Sequence, residues 1–363
     1  MGLGARAVRI GVLAPLSRPG WVEAGRHLLA GVELAALEPA AAGLPVELLV
    51  RDTAADPRTA EAAVDELAGL GVAALAGEYH SVVARAVAAR ADALGVPFLC
   101  SSAVLDALTE QQSAWVARIA PAQSRGWRVY ADFLLAAGHR RVTVVSQPSI
   151  YWATGTAILR DHLAACDGTV IELDPDRVTG SAGGIDPAQV CEALAGSGAT
   201  VLLLLVGSPE PAMPIVRAVR ADPRLADVLI GAPAGQPELP AWEAALGGDG
   251  AGIPFLRYLP GRLTPLGERV AGTLRERLGT TPSFVAFEGY DTIAVLAEVL
   301  RSHGAGREDV ARAWSQVEVE GTRGPIRFSR VPGIGVRQWA WPPIQVADRD
   351  PSSPARFRVL RTS

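Results

Sequence analysis

"VRIGVLAPLSRPGWVEAGRHLLAGVELAALEPAAAGLPVELLVR" (Val8–Arg51) decides the fold. Val8–Ala14 is a short apolar run that reads as a buried strand. From about Trp21 to Leu37 the pattern is helical, and Pro45–Arg51 returns to a strand. Strand, helix and strand in that order imply a parallel βαβ unit.

The same rhythm continues along the chain. A helix is expected from Pro57 to Leu70, then the strand Val72–Ala76, a helix after Ser81, and the strand Val96–Cys100. The pattern then restarts. Helices near 124–137, 152–165, 187–195 and 210–220 alternate with the strands Arg141–Ser146, Thr169–Asp174, Thr200–Gly207 and Asp227–Ala232. Two more helices, Leu266–Leu278 and Phe284–Arg301, precede a different ending. There "GPIRFSR" and "VRQWAWPPIQVA" read as strands, and Pro342 and Pro343 argue for an edge position. The expected class is α/β, with two doubly wound three-layer αβα lobes.

Composition limits the function. With 363 residues, 49% hydrophobic and 20% charged, the chain can bury two cores. A formal net charge of −4 and the lack of any basic run exclude a nucleic-acid footprint. No apolar stretch approaches the ~20 residues of a membrane helix. Three scattered cysteines, Cys100, Cys166 and Cys191, suit neither a disulfide framework nor a zinc site. The start lacks the pattern of an export signal. An extracytoplasmic location is therefore expected only if such a signal was removed, and a cytoplasmic one otherwise.

Motifs for catalysis are missing too. There is no G-x-x-x-x-G-K-[ST], no H-E-x-x-H and no G-x-S-x-G, and the five histidines are dispersed. No catalytic residue, cofactor or metal is expected. The informative stretch is instead "GEYHS" (Gly77–Ser81), a polar knot between a buried strand and a helix. Ligands of open parallel sheets bind beyond the carboxyl ends of strands, at the topological switch. Ser81 suits a helix N-cap, and the free amides behind it suit a carboxylate or carbonyl oxygen. Ser101 and Ser102 end the next strand in the same manner.

"RIGVLAPLSRPGWVEAGRHLLAGVELA", "RDTAADPRTAEAAVDEL", "GVPFLCSS", "RIAPAQSRG", "PSFVAFEGYDTIAVLAEVL" and "GPIRF" occur in that order. This set resembles the type I periplasmic-binding-protein family, in particular the leucine/isoleucine/valine-binding components of ABC transporters. The resemblance implies two lobes joined by three crossing segments, near Arg118–Ala122, Ile253–Tyr258 and Phe328–Pro332. Lobe one would comprise residues 1–120 plus 256–329, and lobe two residues 121–255 plus 330–363, with a ligand cleft between them that closes about a hinge.

Carried over residue by residue, the resemblance implies ligand contacts from Trp21, Tyr79, His80, Ser81, Ser101, Ser102, Tyr151 and Trp152. It also implies a small organic ligand and an ABC permease as partner. One departure stands out. Family members that bind amino acids carry an acid in a G-P-E-G-like turn to hold the ligand ammonium, whereas "GAPAGQP" (Gly231–Pro237) has Ala234 in that place. A buried unpaired ammonium is costly. An amide, a carboxylic acid or an aromatic acid is therefore expected over a free amino acid, unless Glu78 takes over that role. "EYHS" (Glu78–Ser81) also resembles the pocket of a cytoplasmic amide sensor of an amidase operon. The alternative expectation is thus a sensor signalling to a regulatory protein partner. Glu288 and Asp291 in "FEGYD" are expected in structural hydrogen bonds.

Overall fold

The structure is a computed structural model that describes residues 7–17, 21–41, 44–109, 113–180, 184–208, 210–330 and 336–363. The chain divides into two compact units, Met1–Ala122 with Tyr258–Pro343 and Gln123–Arg257 with Ile344–Ser363.

In the first unit, β1 (Val8–Ala14), α1 (Val22–Ala41), β2 (Val46–Asp52), α2 (Pro57–Gly69), β3 (Ala74–Gly77), α3 (Ser81–Leu94), β4 (Phe98–Cys100) and β5 (Val116–Arg118) follow in sequence. The second unit takes over with α4 (Gln123–Ala136), β6 (Arg141–Ser146), α5 (Ile150–Ala164), β7 (Thr169–Glu172), α6 (Pro175–Val178) and α7 (Pro187–Ser197). It continues with β8 (Val201–Leu205), α8 (Ala212–Ala221), β9 (Leu229–Gly231), α9 (Pro240–Leu246) and β10 (Phe255–Arg257). The chain returns to the first unit for α10 (Pro265–Leu278), α11 (Phe284–His303), α12 (Arg307–Ala313), β11 (Glu318–Gly321), β12 (Gly324–Arg330) and β13 (Arg337–Trp339). It ends in the second with β14 (Gln345–Asp350) and β15 (Ser353–Thr362).

The first unit is built on a sheet of order β11-β12-β13-β5-β4-β3-β1-β2. Strands β1 to β5 are parallel. Strand order reverses at β1, because β2 lies on one side of it and β3 on the other. The second unit repeats the scheme with β7-β6-β8-β9, all parallel, reversing at β6. It adds an antiparallel sheet β10-β14-β15.

Local chemistry sets the element ends. The Asp56 carboxylate accepts the Thr59 N–H at 2.8 Å, and Pro57 opens α2. Thr264 does the same for α10 through the Gly267 N–H. The parallel strands are buried on both faces, as their continuous Val/Leu runs require: β8 is buried at all five positions. Around it pack Val190, Leu194, Ile215, Val216 and Trp242. The core of the first unit gathers Leu13, Val64, Leu67, Leu75, Val83, Val87 and Phe98.

Three differences from the sequence reading concern the returning segments. The first two crossings lie at Ala122/Gln123 and Arg257/Tyr258, two residues beyond the expected ones. The third lies at Pro343/Ile344, not near 329/330, so residues 330–343 belong with the first unit. The cause is pairing: Phe328 opposes Trp339 in β12–β13, and β13 in turn runs parallel to β5. Pro332 of the expected crossing lies outside the described residues. Finally, Pro342 and Pro343 do not mark an edge strand. They sit in the link between β13, an interior strand, and β14.

Helices α1 and α11 pack at close range through Gly31, where an added Cβ would lie 1.9 Å from the Ala286 carbonyl oxygen. Gly31→Ala should therefore destabilise the protein by about 1–3 kcal/mol, as overpacking does. Gly69→Ala at the end of α2, where a Cβ meets open space, should be neutral or slightly stabilising. Urea unfolding of the two variants checks the contrast.

Candidate functional site

Both parallel sheets place candidate side chains at the strand ends flanking their switch points. In the first unit the relevant ends are those of β1, β3 and β4. Gly77 closes β3 with φ 121°, and a Cβ there would lie 2.0 Å from the Leu13 carbonyl oxygen. Only glycine lets the end of β3 lie this close to β1 and turn into the polar knot.

Glu78 is fully buried directly behind that turn. Its Oε1 accepts the backbone N–H groups of Tyr79 and His80, both at 2.8 Å. Burial pushes its carboxyl up to about 7, and the Asp52 carboxylate adds to the rise. The two amides and the neighbouring Thr53 hydroxyl act in the opposite direction. Helix α3 therefore does not begin as the sequence suggested. Its N-cap is His80, whose side chain makes no capping bond, and Ser81 is already helical. The Ser81 hydroxyl instead accepts the Val104 N–H at 3.2 Å. A glutamate holds the two amides that lead into the helix, and the first turn carries no side-chain cap from His80.

The knot and the end of β4 are stitched together. Ser101 N–H donates to the Gly77 carbonyl at 2.8 Å, and Ala103 N–H to that of Glu78 at 3.2 Å. Ser102 donates to Ser101 across 3.3 Å, and both serines are buried. Above them lies an aromatic group: the Trp21 ring is 5.3 Å from Tyr79 and 5.7 Å from His80. Trp21, Tyr79, His80 and Ser81 are half-buried, so this face keeps accessible surface. Burial lowers the His80 pKa, which keeps the ring neutral near pH 7.

In the second unit, Tyr151 and Trp152 lie in the first turn of α5, behind the end of β6. The Ser149 side chain caps that helix by accepting the Tyr151 N–H. Tyr151 packs edge-on against Trp127 at 5.9 Å and against Trp152 at 4.7 Å, and Gln123 Nε2 donates to its carbonyl at 2.9 Å. Tyr151 is half-buried and Trp152 is buried. The turn carrying Ala234 holds Gln236, whose Nε2 donates to the Val206 carbonyl. The next acid along the chain, Glu238, is ion-paired to Arg257 at 2.8 Å.

The structure thus brings Trp21, Tyr79 and His80 together, joins Ser81, Ser101 and Ser102 to the same strand ends, and places Tyr151 with Trp152 in the other unit. Sequence reasoning passed over Thr53, Gln123, Trp127 and Gln236. Nothing in their local pattern distinguishes them, since each acquires its neighbours only through the fold. Among the described residues no cluster of His, Cys, Asp and Glu is arranged to hold a metal, and no helix is long and apolar enough to cross a membrane.

The sequence model described as "Periplasmic binding protein" matches residues 7–341. The chain belongs to this family. Similar solved structures include the leucine binding protein LivK of Thermotoga maritima, at 19% identity, covering 98% of each chain, with a TM-score of 0.82. A solute binding protein of an R. palustris ABC transporter, in complex with benzoate, is 17% identical, covers 98% of this chain and 96% of its own, and has a TM-score of 0.80. LivJ of Streptococcus pneumoniae, in complex with isoleucine, is 16% identical, with 99% and 100% coverage and a TM-score of 0.78. At these identities the likeness establishes the fold, type I periplasmic binding protein. No curated protein sequence matches the chain.

Glu78 also has a consequence for stability. Its folded pKa of about 7 exceeds the ordinary 4.5, so between these values the folded state holds a proton that the unfolded state has released. Stability therefore falls as pH rises through that window. Glu288, similarly raised to about 7, contributes in the same sense. Glu78→Gln should remove part of this decline while keeping an acceptor for the two amides. Urea midpoints at pH 5 and pH 8 check it: the wild type should lose more between them than the variant.

Proposed function

We propose that the protein is the solute-binding component of an ABC transporter, a non-catalytic receptor for a small organic ligand. The observation that carries this reading is the gathering of half-buried aromatic and hydroxyl side chains at the switch point of a parallel sheet in a chain of this family. The ligand lies between the two units and closes them by contacts it makes only in the closed state. Trp21, Tyr79, His80, Ser81, Ser101 and Ser102 serve it from one unit, and Tyr151 and Trp152 from the other. The partner that receives the ligand is a permease, which places the protein outside the cytoplasmic membrane.

The ligand class is an amino-acid-like molecule, an amide, or a carboxylic or aromatic acid. Structures of the same fold hold isoleucine in one case and benzoate in another. Ala234 and the pairing of Glu238 with Arg257 speak against a free α-ammonium. The aromatic group around Trp21 suits a flat or branched apolar body. The reading as a cytoplasmic amide sensor is not favoured, because the similar structures include ABC-transporter solute receptors and the sensor likeness is confined to one loop.

A panel of amino acids, their amides and 2-oxo analogues, and substituted benzoates tests the proposal by thermal shift. A ligand at a hundredfold excess over Kd should stabilise by about 2.7 kcal/mol. The absence of any shift across the panel counts against the reading. With a hit in hand, Ser81→Ala should weaken binding roughly ten- to hundredfold, the value of one bond to a charged or strongly polar group at ~1.4 kcal/mol per decade. Calorimetric titration measures it, and unchanged affinity would remove Ser81 from the site.

A further inference from the structure

Glu78 occupies the place where an anion would be welcome. The end of α3 offers backbone donors and a positive dipole end, the ordinary receptor for a ligand carboxylate. Here the amides that lead into that end, the N–H groups of Tyr79 and His80, are already bound at 2.8 Å by a carboxyl of the chain itself. The other carboxyl oxygen, Oε2, is buried beside the Thr53 hydroxyl, and His80 Nδ1 is buried with no hydrogen-bond partner among the described residues. The donors left to a ligand begin at Ser81, one residue further on.

We propose that Glu78 selects the charge of the ligand: by seating the chain's own carboxylate immediately before α3 it disfavours anionic ligands and favours neutral ones, such as a carboxamide, over the matching acid. The inference rests on the proposed ligand site at this strand end and sharpens its ligand class.

The electrostatics are local. A carboxylate bound next to Ser81 would share one helix terminus with a second carboxylate in a water-poor setting, and like charges at such range repel strongly. A carboxamide brings an oxygen for the Ser81 amide and hydroxyl without net charge. The groups around Glu78 do not cancel its charge. Asp52, at the end of β2, carries the same sign and is fixed by the Leu16 and Ala54 amides. His80, on the same loop, is held neutral by burial. Tyr79, Thr53 and Cys100 are uncharged near neutral pH, the last because burial drives its thiol up to about 12. Among the described residues no cation is a cause of the Glu78 shift, in contrast to Glu288, which has Arg323 beside it. Because Glu78 takes up a proton near pH 7, the discrimination should fade below it.

The test uses two pairs of probes, benzoate with benzamide and 4-methylpentanoate with 4-methylpentanamide, titrated calorimetrically into the wild type and Glu78→Gln at pH 8.5 and pH 5.5. Glutamine keeps the acceptor for both amides and removes the charge. At pH 8.5 the wild type should prefer the amide of a pair, and Glu78→Gln should shift the amide-to-acid affinity ratio toward the acid by tenfold or more. At pH 5.5 the two proteins should give similar ratios. A ratio that is the same in both proteins at pH 8.5, with binding retained, overturns the inference and leaves the receptor reading standing. Tight benzoate or 4-methylpentanoate binding by the wild type at pH 8.5, with no preference for the amide, does the same. If none of the four probes binds either protein at millimolar concentration, the assignment of the ligand class fails, and the inference with it.

Discussion

One guanidinium with no exposed surface holds the first unit together. Arg323 donates to Asp291 at 2.9 Å and to Glu288 at 3.2 Å, both on α11, and to the Tyr258 carbonyl at the second crossing. Its face lies 5.1 Å from the Trp339 ring of β13. Asp291 in turn receives the N–H and the hydroxyl of Thr322, which pins the turn between β11 and β12. Glu288 also reaches Ser102 at the end of β4. The ion pair of Arg323 and Asp291 is costly to bury without water, and removing one partner leaves the other uncompensated. The arrangement therefore fixes one assembly: the long helix, the antiparallel strands added late in the chain and a site serine keep a single mutual register, because any other leaves a buried ion alone.

A second constraint acts at the switch point. The amides of Tyr79 and His80, which lead into α3, are held by Glu78, Gly77 before it takes a conformation other residues avoid, and the Ser81 hydroxyl holds the next loop through Val104. The stitching of Ser101 and Ala103 to the same turn makes the ends of β3 and β4 one rigid platform.

How legible this was differs by element. The β-α alternation of residues 8–100 and 141–232 could be read directly, because parallel strands buried on both faces appear as continuous apolar runs such as Val201–Leu205. The family resemblance supplied the two-unit plan. Neither route gave the third crossing. Whether Phe328 pairs with Trp339 or the chain departs there depends on β5, more than two hundred residues earlier, and no local pattern encodes that partner. β15 was missed for a related reason: "SPARFRVLRT" is rich in arginine, and its pairing with β14 relies on Asp348 and Arg358 meeting across strands. At the polar knot the local chemistry was not legible: a serine before an apolar run is the common cap, and only the fold shows Ser81 inside the helix and a buried glutamate holding the amides before it.

The two units also show how a fold can keep its plan and change its chemistry. An acid in the turn at Gly231–Pro237 would answer a ligand ammonium, but here Ala234 occupies it, and Glu238 is spent on Arg257, which also lies 4.6 Å from the Phe357 ring. Two polar groups near the strand ends of this unit are neutral. Gln236 and Gln123 each use their amide nitrogen on a carbonyl, of Val206 and Tyr151, and leave a carbonyl oxygen without a partner among the described residues. Neutral acceptors reward hydrogen-bond donors without rewarding a full positive charge. The proposed preference for an uncharged ligand with N–H or O–H groups rests on these two features together, a carboxylate seated before α3 in one unit and amide oxygens without an acid in the other.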